Sequence, residues 1–384
     1  MVVSLDGSRL CPPLPPVCNR HAAQALRHAQ PRSRLMIGWR PSDPRGVSAS
    51  ARLRCLNLVR HLQRQGDPVE VFTSRHMARY RLLVLGKPYD AVTCRLAERA
   101  KRRSIRLVID LCDNYFYRVH EGRAVAKAEC SLRRLIECAD QVVVSTEALR
   151  DVVCEQTTAV PPMTVIGDMV ESEEELAAWS CRGRASRHPA VPPLRSTARE
   201  HSLRLVWFGI HRNNRAPGGM ADLLSIRKLL ESLAAEYRLS LTVISDSWRC
   251  FSATVKPFRL PTHYAPWHPM TFHSLLRQHA IAVLPISPNP FTWCKSANRL
   301  ATALSAGVAV VADAIPSYRP FRDVCILDRW DEGLRSYLSS ADRRRADTGR
   351  AQTLIDASYR TPQIGEAWRR LLFTVLNHRP HADA

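Results

Sequence analysis

Lys295, Asn298 and Arg299 stand close together where a run of small and apolar residues begins. Residues 298–307 favour a helix by composition, and Gly307 is a natural residue to end it. The start of a helix presents unpaired N–H groups and partial positive charge. Two cationic side chains one turn apart strengthen that field and can face one anion. The chemistry offered is the holding of a phosphate or diphosphate. No other Asp, Glu, Lys or Arg occurs between residues 280 and 311, and charge in an otherwise apolar stretch needs a reason. The plainer reading of the same pair is a solvated helix start.

A second group of reactive types follows other apolar runs. Asp110, Asp113 and Asn114 close the run 105–110, and Ser145 and Thr146 close the run 141–144. Asp113 is of a type that can contact or deprotonate a hydroxyl, provided its pKa is raised toward working pH. It can equally cap the helix that follows. His120 is a second proton acceptor in the same stretch, standing alone. Gly209, His211, Asn214 and Arg215 follow the run 203–208. Trp267 offers a flat face for a heterocycle, or serves as an anchor for its Pro-flanked loop.

The elements that must position these residues read as alternating strands and helices. Strands are expected over 34–39, 69–73, from Tyr89 onward, and over 105–110, 141–146 and 164–168. A turn with Gly46 leads into a helix opened by Ser48, whose apolar face carries Leu53, Leu56, Val59 and Leu62. A basic helix is expected over 96–103 and another over 124–138. The pattern restarts at 203–209, with a helix over 220–237, a strand over 239–245, an aromatic loop over 262–267 and a helix over 272–279. Strands at 281–285 and 308–312 follow, and 353–376 reads as helical. Such alternation argues for parallel sheets. Residues 1–33 read as a flexible arm, 34–180 as one domain, 181–202 as a linker rich in Arg, Pro and Ser, and 203–360 as a second domain. Residues 361–384 read as a final helix and tail that packs back on the first domain. Side chains at the ends of strands in two such facing domains border a shared cleft.

Residues 281–285 (Ile-Ala-Val-Leu-Pro), 295–300 (Lys-Ser-Ala-Asn-Arg-Leu), 303–311 (Ala-Leu-Ser-Ala-Gly-Val-Ala-Val-Val) and 316–318 (Pro-Ser-Tyr) resemble the donor half of GT-B glycosyltransferases. The resemblance is to the large retaining nucleotide-sugar transferase group (family 4/1-like), and extends more weakly over residues 34–376. It implies an α/β fold of two Rossmann-like, doubly wound parallel-sheet domains facing across a cleft. It implies transfer of a sugar from a nucleotide-diphosphate donor to a glycan or lipid-linked acceptor, with retention of configuration, in surface polysaccharide or glycoconjugate synthesis. Donor ligands are then Gly209, His211, Asn214, Arg215, Trp267, Lys295, Ser296, Asn298, Arg299 and Thr302. Acceptor ligands are Arg45, Gly46, Ser48, Asp110, Asn114, Ser145 and Thr146, with Arg52 and Arg54 nearby. Asp113 is the leading catalytic residue and His120 its backup. The chain departs from the group at its paired Glu, whose places fall on Cys294 and Thr302, and at a His replaced by Cys112. No Asp-x-Asp metal motif is present, and no cofactor or metal is expected because Lys295 and Arg299 can neutralise the diphosphate.

The chain has 384 residues and 45% hydrophobic content, enough for two α/β domains with real cores. A formal net charge of +21 favours anionic partners: nucleotide-sugars, lipid phosphates or an anionic membrane face. It also fits a plain basic surface. Nucleic acid is not expected, since no paired Cys/His finger or aromatic RNP-like strand accompanies the charge. The 12 cysteines are scattered without Cys-x-x-Cys, a pattern suited to a reducing cytoplasm. The expected location is cytoplasmic, with peripheral contact at the inner membrane face left open. Loss of both Glu keeps a non-catalytic sugar-nucleotide- or glycan-binding protein as the alternative.

Overall fold

The first strand, β1 (Met36–Arg40), is apolar at its centre, and Ile37, Gly38 and Trp39 are buried. Ser48 then accepts a hydrogen bond from the Ala51 amide and caps a continuous helix, α1. That helix runs through Ala49–Ala51, a π-helical stretch Arg52–Leu56, and Asn57–Arg64. The computed structural model describes residues 36–117, 123–159, 161–179, 203–212 and 216–377. The expected arm and linker, and three of the expected site residues (His120, Asn214 and Arg215), lie outside these.

The chain continues through β2 (Val69–Val71), β3 (Tyr80–Leu85), α2 (Ala91–Lys101), β4 (Arg106–Leu111), α3 (Arg123–Glu137), β5 (Gln141–Val144), α4 (Glu147–Gln156), β6 (Met163–Val165) and α5 (Glu173–Ala177). These strands form one parallel sheet ordered β2-β1-β3-β4-β5-β6. Their near-continuous apolar runs suit a sheet covered on both faces. Two expectations need correction here. Residues 80–85 form a strand the sequence reading lacks. The stretch from Tyr89 is not a strand: Asp90 accepts hydrogen bonds from the Thr93 amide and hydroxyl, both at 2.8 Å, and so opens α2.

A second lobe repeats the plan with β7 (Leu203–Phe208), α6 (Arg227–Glu236), β8 (Leu239–Ser245), α7 (Trp248–Thr254), β9 (Thr262–Pro266) and α8 (Phe272–Leu276). It goes on through β10 (Ile281–Leu284), α9 (Pro290–Trp293), α10 (Asn298–Ser305), β11 (Ala309–Ala312), β12 (Ile326–Leu327), α11 (Trp330–Ser339) and α12 (Ala341–Ser358). Its sheet is again parallel, ordered β12-β11-β10-β7-β8-β9. Read from β9, that is the Rossmann order 3-2-1-4-5-6. The expected aromatic loop at 262–267 is in fact the edge strand β9, where flanking prolines cost no ladder hydrogen bond.

The last helix, α13 (Thr361–Asn377), leaves the second lobe. Its Ile364, Trp368, Leu372 and Val375 join Ile37, Trp39, Leu58 and Leu62 in the core of the first lobe. Residues 169–179 straddle the lobes: Met169 and Trp179 belong to the first lobe's core, Val170 and Leu176 to the second's. The Val170 amide donates to the Tyr359 carbonyl at 2.8 Å, which ties this segment to the returning one.

Candidate active site

Parallel strands all end on the same edge, so loops at that edge gather whatever polar residues follow each strand. In both lobes that edge faces one cleft of about 930 Å³. From the first lobe the cleft is lined by residues after β1 (Ser48, Arg52), β3 (Lys87), β4 (Asp113) and β6 (Asp168, Glu171). From the second it is lined by residues after β7 (Gly209), β8 (Asp246), β9 (Trp267) and β10 (Ile286), and by the segment from Phe291 to Thr302. Strand order reverses between β1 and β3 in one sheet and between β7 and β10 in the other. Both reversals open onto the cleft, where open α/β sheets hold ligands.

Arg299, in the first turn of α10, points into this space beside the exit of β7. A Cβ added to Gly209 would sit 3.3 Å from Arg299 Nη1, and Gly209 has φ +155°. The absent side chain lets the guanidinium lie against the backbone. The same group lies 5.9 Å from the centroid of the Trp207 ring and acts electrostatically on the buried Tyr318 hydroxyl. Among the described residues no carboxylate lies within ion-pair distance of Arg299. It is a cation on the wall of the cleft.

Lys295 is differently placed. Its Nζ donates to Asp113 Oδ1 at 2.5 Å, and Lys87 Nζ donates to Asp113 Oδ2 at 2.7 Å. One carboxylate therefore joins lysines from both lobes. Burial alone would raise the Asp113 pKa, but Lys295 and Lys87 override it and hold the group well below the usual carboxylate range. This corrects the expectation of a poised base: in this arrangement Asp113 is a fixed anion with two cationic partners. Lys87 was absent from the expected site because β3, which delivers it, was absent too.

Several expected ligands instead join the lobes. Ser296 Oγ donates to Asp168 at 2.5 Å, and Asn298 Nδ2 donates to the Met169 carbonyl at 2.8 Å. Both still border the cleft. Asn114 Nδ2 donates to the Pro290 carbonyl at 3.1 Å, and Thr146 Oγ1 to the Cys294 carbonyl at 3.1 Å. These last two do not line the cleft; Asn114 and Thr146 hold the 290–294 segment of the opposite lobe rather than a ligand. Cys294 is fully buried within the first lobe's core cluster, its thiol directed at the Ala148 carbonyl at 3.7 Å. Burial pushes that thiol up to about 11. Thr302 does line the cleft.

The other expected acceptor residues are corrected in part. Arg54 is buried, held to Asp110 by paired hydrogen bonds and to Asp168 at 3.2 Å, so Arg54 and Asp110 satisfy each other. Arg52 is buried against Glu171 at 2.9 Å, and Asn57 donates to the same carboxylate. Burial raises the Glu171 pKa against the pull of Arg52. Gly46 faces protein, not a ligand: a Cβ there would lie 2.6 Å from Trp179, and φ is +75°. Ser145 is buried and donates to the Cys112 carbonyl. Arg45 is exposed beside Asp43, away from the cleft wall. Ser48 borders the cleft.

In the second lobe His211 donates its amide to Asp246 at 2.8 Å and sets Nδ1 3.0 Å from the same carboxylate. Trp267 lines the cleft, with the Arg52 guanidinium 5.5 Å from its ring centroid. Asp222 is a cleft carboxylate missed from sequence. It is buried and accepts from the Gly219 amide at 3.0 Å and from the Ser287 amide and hydroxyl. Its only sequence signal was an acid just after Gly218-Gly219. Among the described residues no cluster of three His, Cys, Asp or Glu is arranged for a metal ion, and no helix is long and apolar enough to cross a membrane.

No protein-family model and no curated protein sequence matches the chain. Solved structures do match in shape. Sucrose-phosphate synthase (tll1590) from Thermosynechococcus elongatus aligns with a TM-score of 0.59 at 11% identity, over 89% of this chain and 100% of that one. Anabaena Alr3699/HepE, solved with UDP and glucose, aligns with a TM-score of 0.57 at 11% identity, over 88% and 100%. S. aureus TarM aligns with a TM-score of 0.54 at 14% identity over 84% of this chain, which spans 58% of TarM. The two facing parallel-sheet lobes, joined by a returning C-terminal helix, have the GT-B fold of these glycosyltransferases.

Proposed function

We propose that this protein is a glycosyltransferase that moves a sugar from a nucleotide-diphosphate donor to a hydroxyl of a glycan or lipid-linked acceptor, in surface polysaccharide or glycoconjugate synthesis. The observation that carries the reading is Arg299, a cation with no carboxylate partner among the described residues, at the mouth of α10 and packed against Gly209 inside the interlobe cleft. Bond breaking leaves negative charge on the diphosphate, and preorganised cations there stabilise it. Lys295 is the second such cation once its pairing with Asp113 is exchanged. Trp267 supplies a flat wall and Thr302 a hydroxyl on the donor side. A cleft formed by two lobes excludes water when closed, which protects the donor from hydrolysis. That HepE was solved with UDP and glucose makes uridine nucleotides the first to try.

The test is a thermal-shift screen of nucleotides and nucleotide-sugars on the full chain, repeated on Arg299→Ala and Lys295→Ala. A ligand that stabilises the native chain and fails with both variants supports the site. A native chain stabilised by none of them ends the proposal. The second reading, a sugar-nucleotide-binding protein without turnover, draws on Cys294 being turned into the first lobe. Nucleotide binding with no nucleotide release over a panel of acceptors favours it.

A further inference from the structure

Lys87 and Lys295 meet the same Asp113 carboxylate from opposite lobes, at 2.7 and 2.5 Å. All three side chains line the cleft, and the Asp113 side chain is only 14% exposed. Among the described residues neither lysine has another carboxylate within ion-pair distance. Two lysines and one aspartate leave one positive charge unbalanced, and Arg299 adds a second. Lys295 is also the most accessible of the three, at 39% exposure against 22% for Lys87. It is therefore the partner an incoming anion reaches first.

We propose that Asp113 is an exchangeable counter-ion: a diphosphate takes its place on Lys295, while Lys87 keeps the carboxylate in position. This rests on the donor reading above. Lys87 is on this account a positioning residue that acts through Asp113 and does not touch the diphosphate. Once exchanged, Asp113 Oδ1 is left open toward the cleft, where it can accept a hydrogen bond from an acceptor hydroxyl. The arrangement imposes an order in which the donor enters before the acceptor is aligned. It also sets a threshold: weak monoanions do not compete with a buried, doubly paired carboxylate, because removing one partner of such a pair is costly.

The experiment is calorimetric titration of the full chain with inorganic pyrophosphate and with UDP, for the native protein, Asp113→Asn, Lys87→Met and the double variant. Asp113→Asn removes the competitor for Lys295, so both anions bind more tightly, by about tenfold. Lys87→Met gives Asp113 wholly to Lys295, so both anions bind more weakly. In the Asp113→Asn background Lys87→Met has no further effect, because its action runs through the missing carboxylate. Unchanged or weaker binding by Asp113→Asn overturns the proposal. So does an equal loss from Lys87→Met in both backgrounds, which would make Lys87 a direct ligand. Should Asp113→Asn fail to fold, Asp113→Ser takes its place in the cycle, and the same outcomes support or overturn the exchange. Binding of UDP by every protein with one common affinity sinks the exchange and leaves the donor reading standing. Binding of UDP by none sinks both.

Discussion

Trp368, on the last helix, lies against Trp39, on the first strand, with ring centroids 4.6 Å apart and planes tilted by 56°. Both rings are essentially buried, and the Arg54 guanidinium sits 5.7 Å from the Trp368 centroid. The contact joins the two ends of the described chain in one core. Trp368→Ala is expected to cost about 3–5 kcal/mol, as full truncation of a core aromatic does. Trp368→Phe is expected to cost less than half of that. Denaturant unfolding measures both, and the Trp39→Ala/Trp368→Ala double variant should lose less than the sum of the single ones.

Arg299→Ala should weaken nucleoside diphosphate binding by about tenfold or more, since a hydrogen bond to a charged group contributes about 1.5–3 kcal/mol. Its melting temperature should stay near the native value, because no carboxylate among the described residues depends on this side chain. Gly209→Ala should weaken the same ligands by displacing the guanidinium, 3.3 Å from the added Cβ. Titration calorimetry reads both. Native affinity in Arg299→Ala would remove it from the donor site.

Cys294→Glu, which places a carboxylate where the resembling transferases carry one, should harm the protein. The side chain enters the first lobe's core, and an unpaired buried charge costs several kcal/mol. Thr302→Glu faces the cleft and should fold with near-native stability. Comparing the two melting curves distinguishes a position turned away from the ligand from one that faces it.

His279 makes stability depend on pH. Its Nδ1 donates to the Leu275 carbonyl at 2.8 Å, while Nε2 is buried with no partner among the described residues. Burial is the main cause that brings its pKa down from 6.5 to about 4. Below the unfolded value the unfolded chain takes up a proton that the native chain refuses. Stability is therefore intact above pH 6.5 and falls as pH drops toward about 4, by up to ~1.4 kcal/mol per pH unit. In His279→Leu that part of the slope should vanish in urea unfolding at stepped pH. An unchanged slope would mean that other groups carry it.

The repeated strand and helix pattern was legible because apolar runs of the right length report a parallel sheet directly. Two elements were misread for local reasons. Tyr89 and its β-branched neighbours looked like a strand, yet the Asp90 carboxylate, an excellent cap, set the helix there. The edge strand β9 was hidden by Pro261 and Pro266. At the site, Lys295 and Arg299 stood out because charge in an apolar run is conspicuous. The acceptor residues did not sort correctly, because their fates are decided by tertiary pairing. Arg54 with Asp110, Arg52 with Glu171 and Lys87 with Asp113 are 56, 119 and 26 residues apart. No local pattern says which cation finds which acid.

Met169 and Val170 are adjacent in the chain but rooted in different cores, and the Val170 amide is bonded to Tyr359 on the returning segment. Two of the places where the described chain crosses between the halves are thus pinned side by side. Any parting of the halves must swing about that point as a door swings on a double hinge. Ser296, tied to Asp168 close to the pivot, will travel little, while groups at the far rim travel most. Substrate entry and product exit are then governed by rotation about a short axis, and a stiffening change at Val170 or Tyr359 should slow turnover without altering a single ligand contact.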